Sequence, residues 1–67
     1  MTLQEFADST RSRSLSPGPK VTLELADGSF AVKVQLDGDV GYLHVAANGI
    51  STGNLLTLED IARLRAH

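Results

Sequence analysis

The chain has 67 residues, a formal net charge of −2, no cysteine and no tryptophan. A chain of this length holds at most one domain, whose core rarely contributes more than ~3–5 kcal/mol to stability. The lack of cysteine excludes disulfides and thiolate metal sites and fits a reducing compartment. No apolar run approaches the ~20 residues of a membrane span, and the sequence does not open with a basic segment followed by an apolar one, as a secretory leader does. We therefore expect a cytoplasmic protein.

The first residues carry the signals of a helix start. Thr2 can cap a helix with its hydroxyl, and Glu5 stands three residues later, where a capping box places its acid. Met1 and Phe6 occupy the two positions of a hydrophobic staple, and we expect a short helix over residues 3–9. Because so short a helix is unstable alone, it must dock on another surface.

Residues 9–19 predict a linker. Serine and arginine alternate there before Pro17-Gly18-Pro19, a composition that gives extended or turn structure and too little apolar surface to fold alone. The chain therefore divides into residues 1–19, a short helix with a Ser/Pro-rich linker, and residues 20–67, a β-meander with a C-terminal helix. The sequence leaves open whether the first helix docks on its own chain.

Residues 20–26 and 29–36 match each other as antiparallel strands. With Asp27-Gly28 as a two-residue turn, the large apolar side chains of both strands fall on one face of the hairpin. A one-residue slip would destroy this match. The predicted pairs are Leu25 with Phe30, Leu23 with Val32, and Val21 with Val34.

A second turn at Asp37-Gly38 leads into a third strand over residues 40–47. A two-residue turn places Leu43 in the core, whereas a three-residue turn would bury Tyr42 and His44 instead. We favour the two-residue turn, because a buried phenol and imidazole need partners that so small a core can hardly supply.

Asn48-Gly49 signals a further tight turn, after which residues 50–52 could return as a very short fourth strand that ends at Gly53-Asn54. The pattern predicts an α+β fold. It consists of a three-stranded antiparallel meander, optionally with this fourth strand, packed against a C-terminal helix, and of a short N-terminal helix.

The C-terminal helix begins with Thr57 as its cap and Asp60 as the acid of a capping box. We expect a Glu59–Arg63 pair on its exposed side. The predicted buried stripe consists of Leu58, Ile61, Ala62 and Leu64. Both Leu23 and Leu43 are expected beneath this stripe, together with Val32.

No residue pattern identifies a reaction, and we expect no enzyme, cofactor, metal or small-molecule substrate. His44 lies within a strand and no carboxylate is placed by sequence to orient it, so a surface histidine is favoured over a catalytic base. Asp37-Gly38-Asp39 resembles the opening of a calcium loop but lacks the later ligands. The hydroxyl-rich residues 48–54 precede a helix but contain no lysine and no P-loop spacing.

One face of the sheet is the candidate partner-binding surface. If both helices cover the opposite face, this face meets solvent, and Tyr42 offers it a large rigid contact area beside Lys33 and His44. Arg65 falls close to the apolar direction of the last helix; we favour fraying or snorkelling there over a contact with a partner's carboxylate. The predicted partner-binding residues are Lys33, Tyr42, His44 and Arg65.

The first functional hypothesis is a small non-enzymatic protein–protein interaction module: an inhibitor, adaptor or accessory subunit. A thin core and unprotected sheet edges motivate it, and they favour a homodimer or a hetero-complex through the outer strand or the sheet face. Chains of this make-up are common among accessory proteins of phages and mobile elements, which is an association only. The alternative is a nucleic-acid-binding regulator, which the dispersed, mildly acidic charge disfavours. It would use Arg11, Arg13, Lys20, Arg63 and Arg65.

Overall fold

The computed structural model describes residues 1–15, 18 and 21–65. The elements are, in chain order, α1 (Leu3–Thr10), β1 (Thr22–Glu24), β2 (Phe30–Leu36), β3 (Asp39–Val45), β4 (Ser51–Leu56) and α2 (Leu58–Arg65). The strands form one antiparallel sheet in the order β1-β2-β3-β4. The predicted α+β class with an antiparallel sheet is therefore confirmed, and the fourth strand is a full member of that sheet.

The first hairpin has a different register from the predicted one. Thr22 pairs with Val32, and Leu23 pairs with Ala31. The predicted pairs of this hairpin are therefore wrong by one residue. Because side chains alternate along a strand, Leu23 lies on the opposite face of the sheet from Val32.

The slip comes from the loop between β1 and β2, which has three residues instead of two. The Leu25 N–H donates to the Ser29 carbonyl at 2.9 Å, and Gly28 between them adopts φ +90°. The Asp27 carboxylate accepts the Ser29 N–H at 2.9 Å, which holds the loop in this shape. Three-residue hairpin loops that end on a left-handed glycine are a common alternative to the two-residue turn.

The second hairpin follows the predicted register. Val32 pairs with Leu43 and Lys33 with Tyr42 across β2 and β3. The turn has two residues with positive φ, 51° at Asp37 and 86° at Gly38, as the tight hairpin turn requires. The preference for the two-residue turn is confirmed.

The fourth strand continues through the residues that were expected to end it. Between the Leu43–Leu55 and Val45–Ser51 pairs, three residues of β4 lie opposite the single residue His44 of β3. Gly53 has φ +75° in this bulge, a conformation that glycine adopts without strain. The prediction that Gly53 and Asn54 break the strand is therefore wrong.

Helix α1 begins with the predicted capping box. The Thr2 hydroxyl accepts the Glu5 N–H at 3.1 Å, and the Glu5 carboxylate accepts the Thr2 N–H at 2.9 Å. Met1 is 72% exposed, so the expected staple to Phe6 covers little of its side chain. Ala7 is fully buried against the sheet, which answers the open question: the helix docks on its own chain.

The two helices cover opposite faces of the sheet, so the core has two parts. The first core cluster lies under α1 and contains Ala7, Leu43 and Val45, flanked by Leu15, Phe30, Val32, Val34 and Leu55. The second core cluster lies under α2 and contains Leu25, Ala31 and Ile61, flanked by Leu23, Tyr42, Leu56 and Leu64. The expectation that Leu23, Val32 and Leu43 pack together beneath α2 is wrong. Val32 and Leu43 lie together under α1, and the register slip places Leu23 on the opposite face.

Helix α2 also begins with its predicted capping box. The Thr57 hydroxyl accepts the Asp60 N–H at 3.0 Å, and the Asp60 carboxylate accepts the Thr57 N–H at 3.2 Å. Arg63 donates to the Asp60 carboxylate at 2.8 Å. The predicted Glu59–Arg63 pair is therefore wrong.

The buried side of α2 is narrower than predicted. Ile61 is buried and Leu64 half-buried against the sheet, whereas Ala62 is exposed. Leu58, at the start of the helix, is 73% exposed. Only Ile61 and Leu64 of the predicted stripe therefore face the core.

The position of the core predicts unequal effects for two leucine truncations. Leu43 is 1% exposed, so Leu43→Ala should cost about 2–5 kcal/mol of unfolding free energy, most of what so small a chain has. Leu58→Ala removes the same atoms from an exposed site and should change stability by about 0.5 kcal/mol or less. Urea denaturation followed by circular dichroism measures both, and equal midpoints would contradict this core.

Candidate functional site

The residues predicted to bind a partner lie on or beside the sheet face that α2 covers. Lys33 and Tyr42 are direct neighbours across β2 and β3, and Lys33 is exposed. Tyr42 is half-buried, because it packs against the second core cluster. The face is thus not the open surface that the sequence suggested, and Tyr42→Ala would lower stability as well as any binding.

His44 belongs to a hydrogen-bonded network with the β1–β2 loop. Its Nε2 lies 3.0 Å from the Ser29 hydroxyl oxygen, and this hydroxyl also contacts the Asp27 carboxylate. Ser29 is only 5% exposed. A carboxylate does therefore stand near His44, but it acts through the serine rather than on the imidazole.

The sequence of hydrogen bonds from Asp27 through Ser29 to His44 determines which atoms carry the protons. An ionised Asp27 carboxylate only accepts hydrogen bonds, so the Ser29 hydroxyl donates its single proton to Asp27. The His44 Nε2 must then carry a proton and donate it to the Ser29 oxygen. An Nε2 that donates cannot remove the serine proton, so the arrangement fixes the loop and does not activate Ser29 as a nucleophile.

The network also sets the charge of the loop. The Ser29 hydroxyl and then its backbone N–H lower the pKa of Asp27 below the ordinary value of 3.8, with a smaller contribution from the charge of His44. Hydrogen bonds to a carboxylate favour its ionised form. Asp27 therefore stays negative in the folded protein down to lower pH than a free aspartate.

Arg65 lies at the end of α2 that contacts the same loop. The Ala26 N–H donates to the Leu64 carbonyl at 3.1 Å, which places the last turn of α2 beside the loop that contains Asp27. Arg65 is exposed and, within the described part of the chain, forms no ion pair. The structure thus brings Arg65 to the loop of the His44 network, while Lys33 pairs with Tyr42.

The arginines of the nucleic-acid hypothesis are partly engaged. Arg11 lies 3.7 Å from Asp8, and Arg63 lies 2.8 Å from Asp60. A neighbouring carboxylate weakens the attraction of an arginine for phosphate. Arg13 and Arg65 are exposed, and Lys20 lies outside the described residues.

The outer edge of β4 is paired with the linker after α1. The Ser12 N–H donates to the Ser51 carbonyl at 3.1 Å, and the Ser51 N–H donates to the Arg13 carbonyl at 2.9 Å. The Leu15 N–H then donates to the Gly49 carbonyl at 2.8 Å. Residues 9 and 10 of the predicted linker belong to α1, and residues 12–15 run along the outer edge of β4, with an isolated bridge between Ser14 and Ile50.

Side chains satisfy the next backbone groups of β4. The Gly53 N–H donates to the Ser51 hydroxyl at 3.2 Å, and the Asn54 N–H donates to the Thr52 hydroxyl at 3.3 Å. The Gln4 amide of α1 donates to the Gly53 carbonyl at 3.4 Å. This edge therefore presents few free groups to another strand.

The edge formed by β1 is bare by comparison. The Val21 carbonyl accepts the Lys33 N–H, and the Leu25 N–H donates to the Ser29 carbonyl. By alternation the N–H and C=O groups of Thr22 and Glu24 therefore point away from the sheet. Within the described residues, no other segment pairs with them. The free edge ends at Ala26, whose N–H is taken by the last turn of α2.

An apolar groove of about 250 Å³ adjoins this edge on the α1 side. Helix α1 packs over β3 and β4, so the part of the sheet nearer β1 is left without a helix. Val21, which is 45% exposed, belongs to both the edge and the groove. The other apolar lining residues are Phe6, Leu15, Val32, Val34 and Leu43.

The sequence predicts β1 as an outer strand, but it gives no prediction of the loop network or of the groove. The Asp27-Gly28-Ser29 run is a local signal for a carboxylate that bonds the N–H two residues later. Ser29 is also a diagonal neighbour of His44 in the correctly predicted second hairpin. The groove had no such signal, since it depends on where α1 docks.

No protein-family model matches the chain, and no curated protein or solved structure matches it significantly. Neither helix in the described ranges is long and apolar enough to cross a membrane. Across those same ranges, no group of three or more histidine, aspartate or glutamate side chains could hold a metal ion. Function must therefore be inferred from the geometry of this chain alone.

The loop network predicts a specific loss of stability in acid. Since the pKa of Asp27 is lower in the folded chain than in the unfolded chain, the unfolded chain binds more protons below about pH 4 and stability falls there. Ser29→Ala removes the hydroxyl bond, the largest cause of the lowered pKa, and keeps the backbone N–H bond, so its unfolding free energy should fall less between about pH 5 and pH 2.

Thermal unfolding at a series of pH values measures this effect. Asp39→Asn is the matched control, because Asp39 is exposed and its replacement changes the net charge without altering the hydrogen bonds of the β1–β2 loop. Identical acid slopes for the unmodified chain and Ser29→Ala would show that the serine does not hold the Asp27 charge.

Proposed function

We propose that the protein is a small, non-enzymatic protein–protein interaction module that binds an extended segment of its partner as an added strand at β1. The contrast between the two sheet edges carries this proposal: β4 is paired with the linker and with side chains, whereas no residue in the described ranges pairs with the outward backbone groups of Thr22 and Glu24. An unpaired edge is a template for another strand, and strand addition is a recurrent mode of peptide recognition.

The surroundings of β1 support this mode of binding. An added strand would cover Val21 and would bring its own side chains beside the apolar groove on the α1 side. Removing such apolar surface from water contributes about 25 cal/mol per Å² before the costs of association. A small core gains proportionally more from such burial than a large one.

The biological role is proposed at the level of class only. A module of this kind acts as an inhibitor, an adaptor or an accessory subunit, and its partner is another protein or a second copy of the chain. We propose a cytoplasmic location on the absence of cysteine, which suits a reducing compartment.

The residues predicted from sequence define a second candidate surface on the α2 side. Lys33 and Arg65 are exposed there, while Tyr42 and His44 are half-buried. We keep these four residues as proposed partner contacts of lower rank than the β1 edge, because α2 and the loop network already engage two of them.

Proline at position 24 tests the edge directly. Glu24→Pro removes an outward N–H and leaves the hydrogen bonds between β1 and β2 in place, because by alternation the N–H of residue 24 points away from β2. Glu24→Ala is the matched control, since it removes the same carboxylate but keeps the N–H. We expect immobilised Glu24→Ala to capture a partner from native extract as the unmodified chain does, and Glu24→Pro to lose at least about tenfold in affinity.

Three further measurements make this result decisive. Circular dichroism must show that Glu24→Pro is folded. Equal capture by all three proteins, together with loss of capture in Lys33→Ala or Arg65→Ala, would move the interaction to the α2 side. Capture that weakens steeply with added salt and is abolished by nuclease would instead favour the nucleic-acid alternative.

A further inference from the structure

We infer that β1 of a second copy of this chain occupies the free edge when no other strand does, in a two-fold antiparallel pair centred on Leu23. This inference rests on the proposed function, because it uses the same edge, and it adds the identity and the register of the partner strand. The result would be a dimer with one continuous sheet across the two copies.

Backbone geometry allows only a few registers for such a pair. In a two-fold antiparallel pair, hydrogen bonds form between residues that both point outward, and in β1 these are Thr22 and Glu24. The centre of symmetry can therefore fall on Thr22, on Leu23 or on Glu24. Registers that pair an outward residue with an inward one leave the edge groups unbonded.

Charge and hydrogen bonding select one of these three registers. A pair centred on Glu24 places two carboxylates directly opposite each other, which is unfavourable. It also needs the Ala26 N–H, which already donates to the Leu64 carbonyl. A pair centred on Thr22 bonds only Thr22 to its copy within the described residues. In a pair centred on Leu23, Thr22 of each copy lies opposite Glu24 of the other copy. Both outward residues of each chain then form backbone hydrogen bonds.

The side chains also match in this register. Leu23 faces Leu23 of the second copy beside the second core cluster, which already includes Leu23 at its margin. Val21 precedes β1 and lines the groove on the α1 side, so it takes no part in this contact. Each Glu24 carboxylate faces a threonine and not another carboxylate. Apolar side chains thus meet apolar ones, and like charges are kept apart.

The contact is short, so the dimer should depend on concentration. The match extends over the three residues 22–24 only, since the next outward N–H, that of Ala26, already donates to the last turn of α2. Interfaces of small area are weak and exchange readily. A second copy would therefore protect the edge without excluding a stronger partner strand.

Disulfide cross-linking of single-cysteine variants tests the register directly, because the chain has no cysteine of its own. In the pair centred on Leu23, the two Cα atoms of residue 23 lie about 4.5 Å apart, within disulfide range. The two copies of residue 22, and of residue 24, are diagonal neighbours about 7–8 Å apart, beyond that range. Under mild oxidation Leu23→Cys should therefore give a covalent dimer, and Thr22→Cys and Glu24→Cys should remain largely monomeric.

The unmodified chain provides a second measurement that needs no substitution. The N–H groups of Thr22 and Glu24 should exchange with deuterium more slowly as protein concentration rises into the millimolar range. The Leu23 N–H, which by alternation points to β2, should show the same protection at every concentration.

The possible outcomes separate this inference from the proposed function. Cross-linking through residue 22 or 24 instead of 23, or a monomeric mass with no concentration-dependent protection, would overturn the dimer. Partner capture that is sensitive to Glu24→Pro would still stand in that case. Cross-linking at residue 23 together with proline-insensitive capture would support the dimer and remove strand addition by a different protein.

Discussion

The hydrogen bonds within the β1–β2 loop determine most of the architecture. Asp27 holds the Ser29 N–H and hydroxyl, and Gly28 takes the left-handed conformation that a three-residue loop needs. This loop shifts β1 by one residue, which turns Leu23 and Leu25 away from the face that carries Val32. The sheet is then apolar on both faces, and a sheet of this kind must be covered on both faces to be stable in water.

Two short helices meet this requirement, and their placement decides what remains for a partner. Helix α1 covers β3 and β4 on one face, and α2 covers the second core cluster on the other. Since both faces are occupied, recognition is left to the edges and to the groove that α1 does not reach. The linker and the side chains of β4 close one edge, whereas no other segment of the described residues pairs with Thr22 and Glu24, which is why the proposed binding uses the β1 edge.

Local signals in the sequence predict the helix starts and the second turn. The register of the first hairpin, which decides how the core packs, also depends on a contact between residues far apart in the chain. Both capping boxes and the Asp37-Gly38 turn depend on residues within a few positions of one another, so the sequence reveals them. The predicted register of the first hairpin is wrong because Asp27-Gly28 suits both a two-residue and a three-residue loop. The energy that decides between them includes the bond from Ser29 to His44, a residue of another strand. Tyr42 was consequently assigned to an open surface.

The same loop also limits the binding edge that its register creates. The Ala26 N–H would be the next outward group of β1, yet it donates to the last turn of α2 and supplies a partner for one of the carbonyls that a helix end leaves free. One hydrogen bond thus fixes the end of α2 on the sheet and stops the free edge after Glu24. A short edge discourages the indefinite strand-by-strand association that long bare edges promote. In the proposed mode of binding, the β1 edge would therefore take one short strand, and its shortness disfavours further strand-by-strand association.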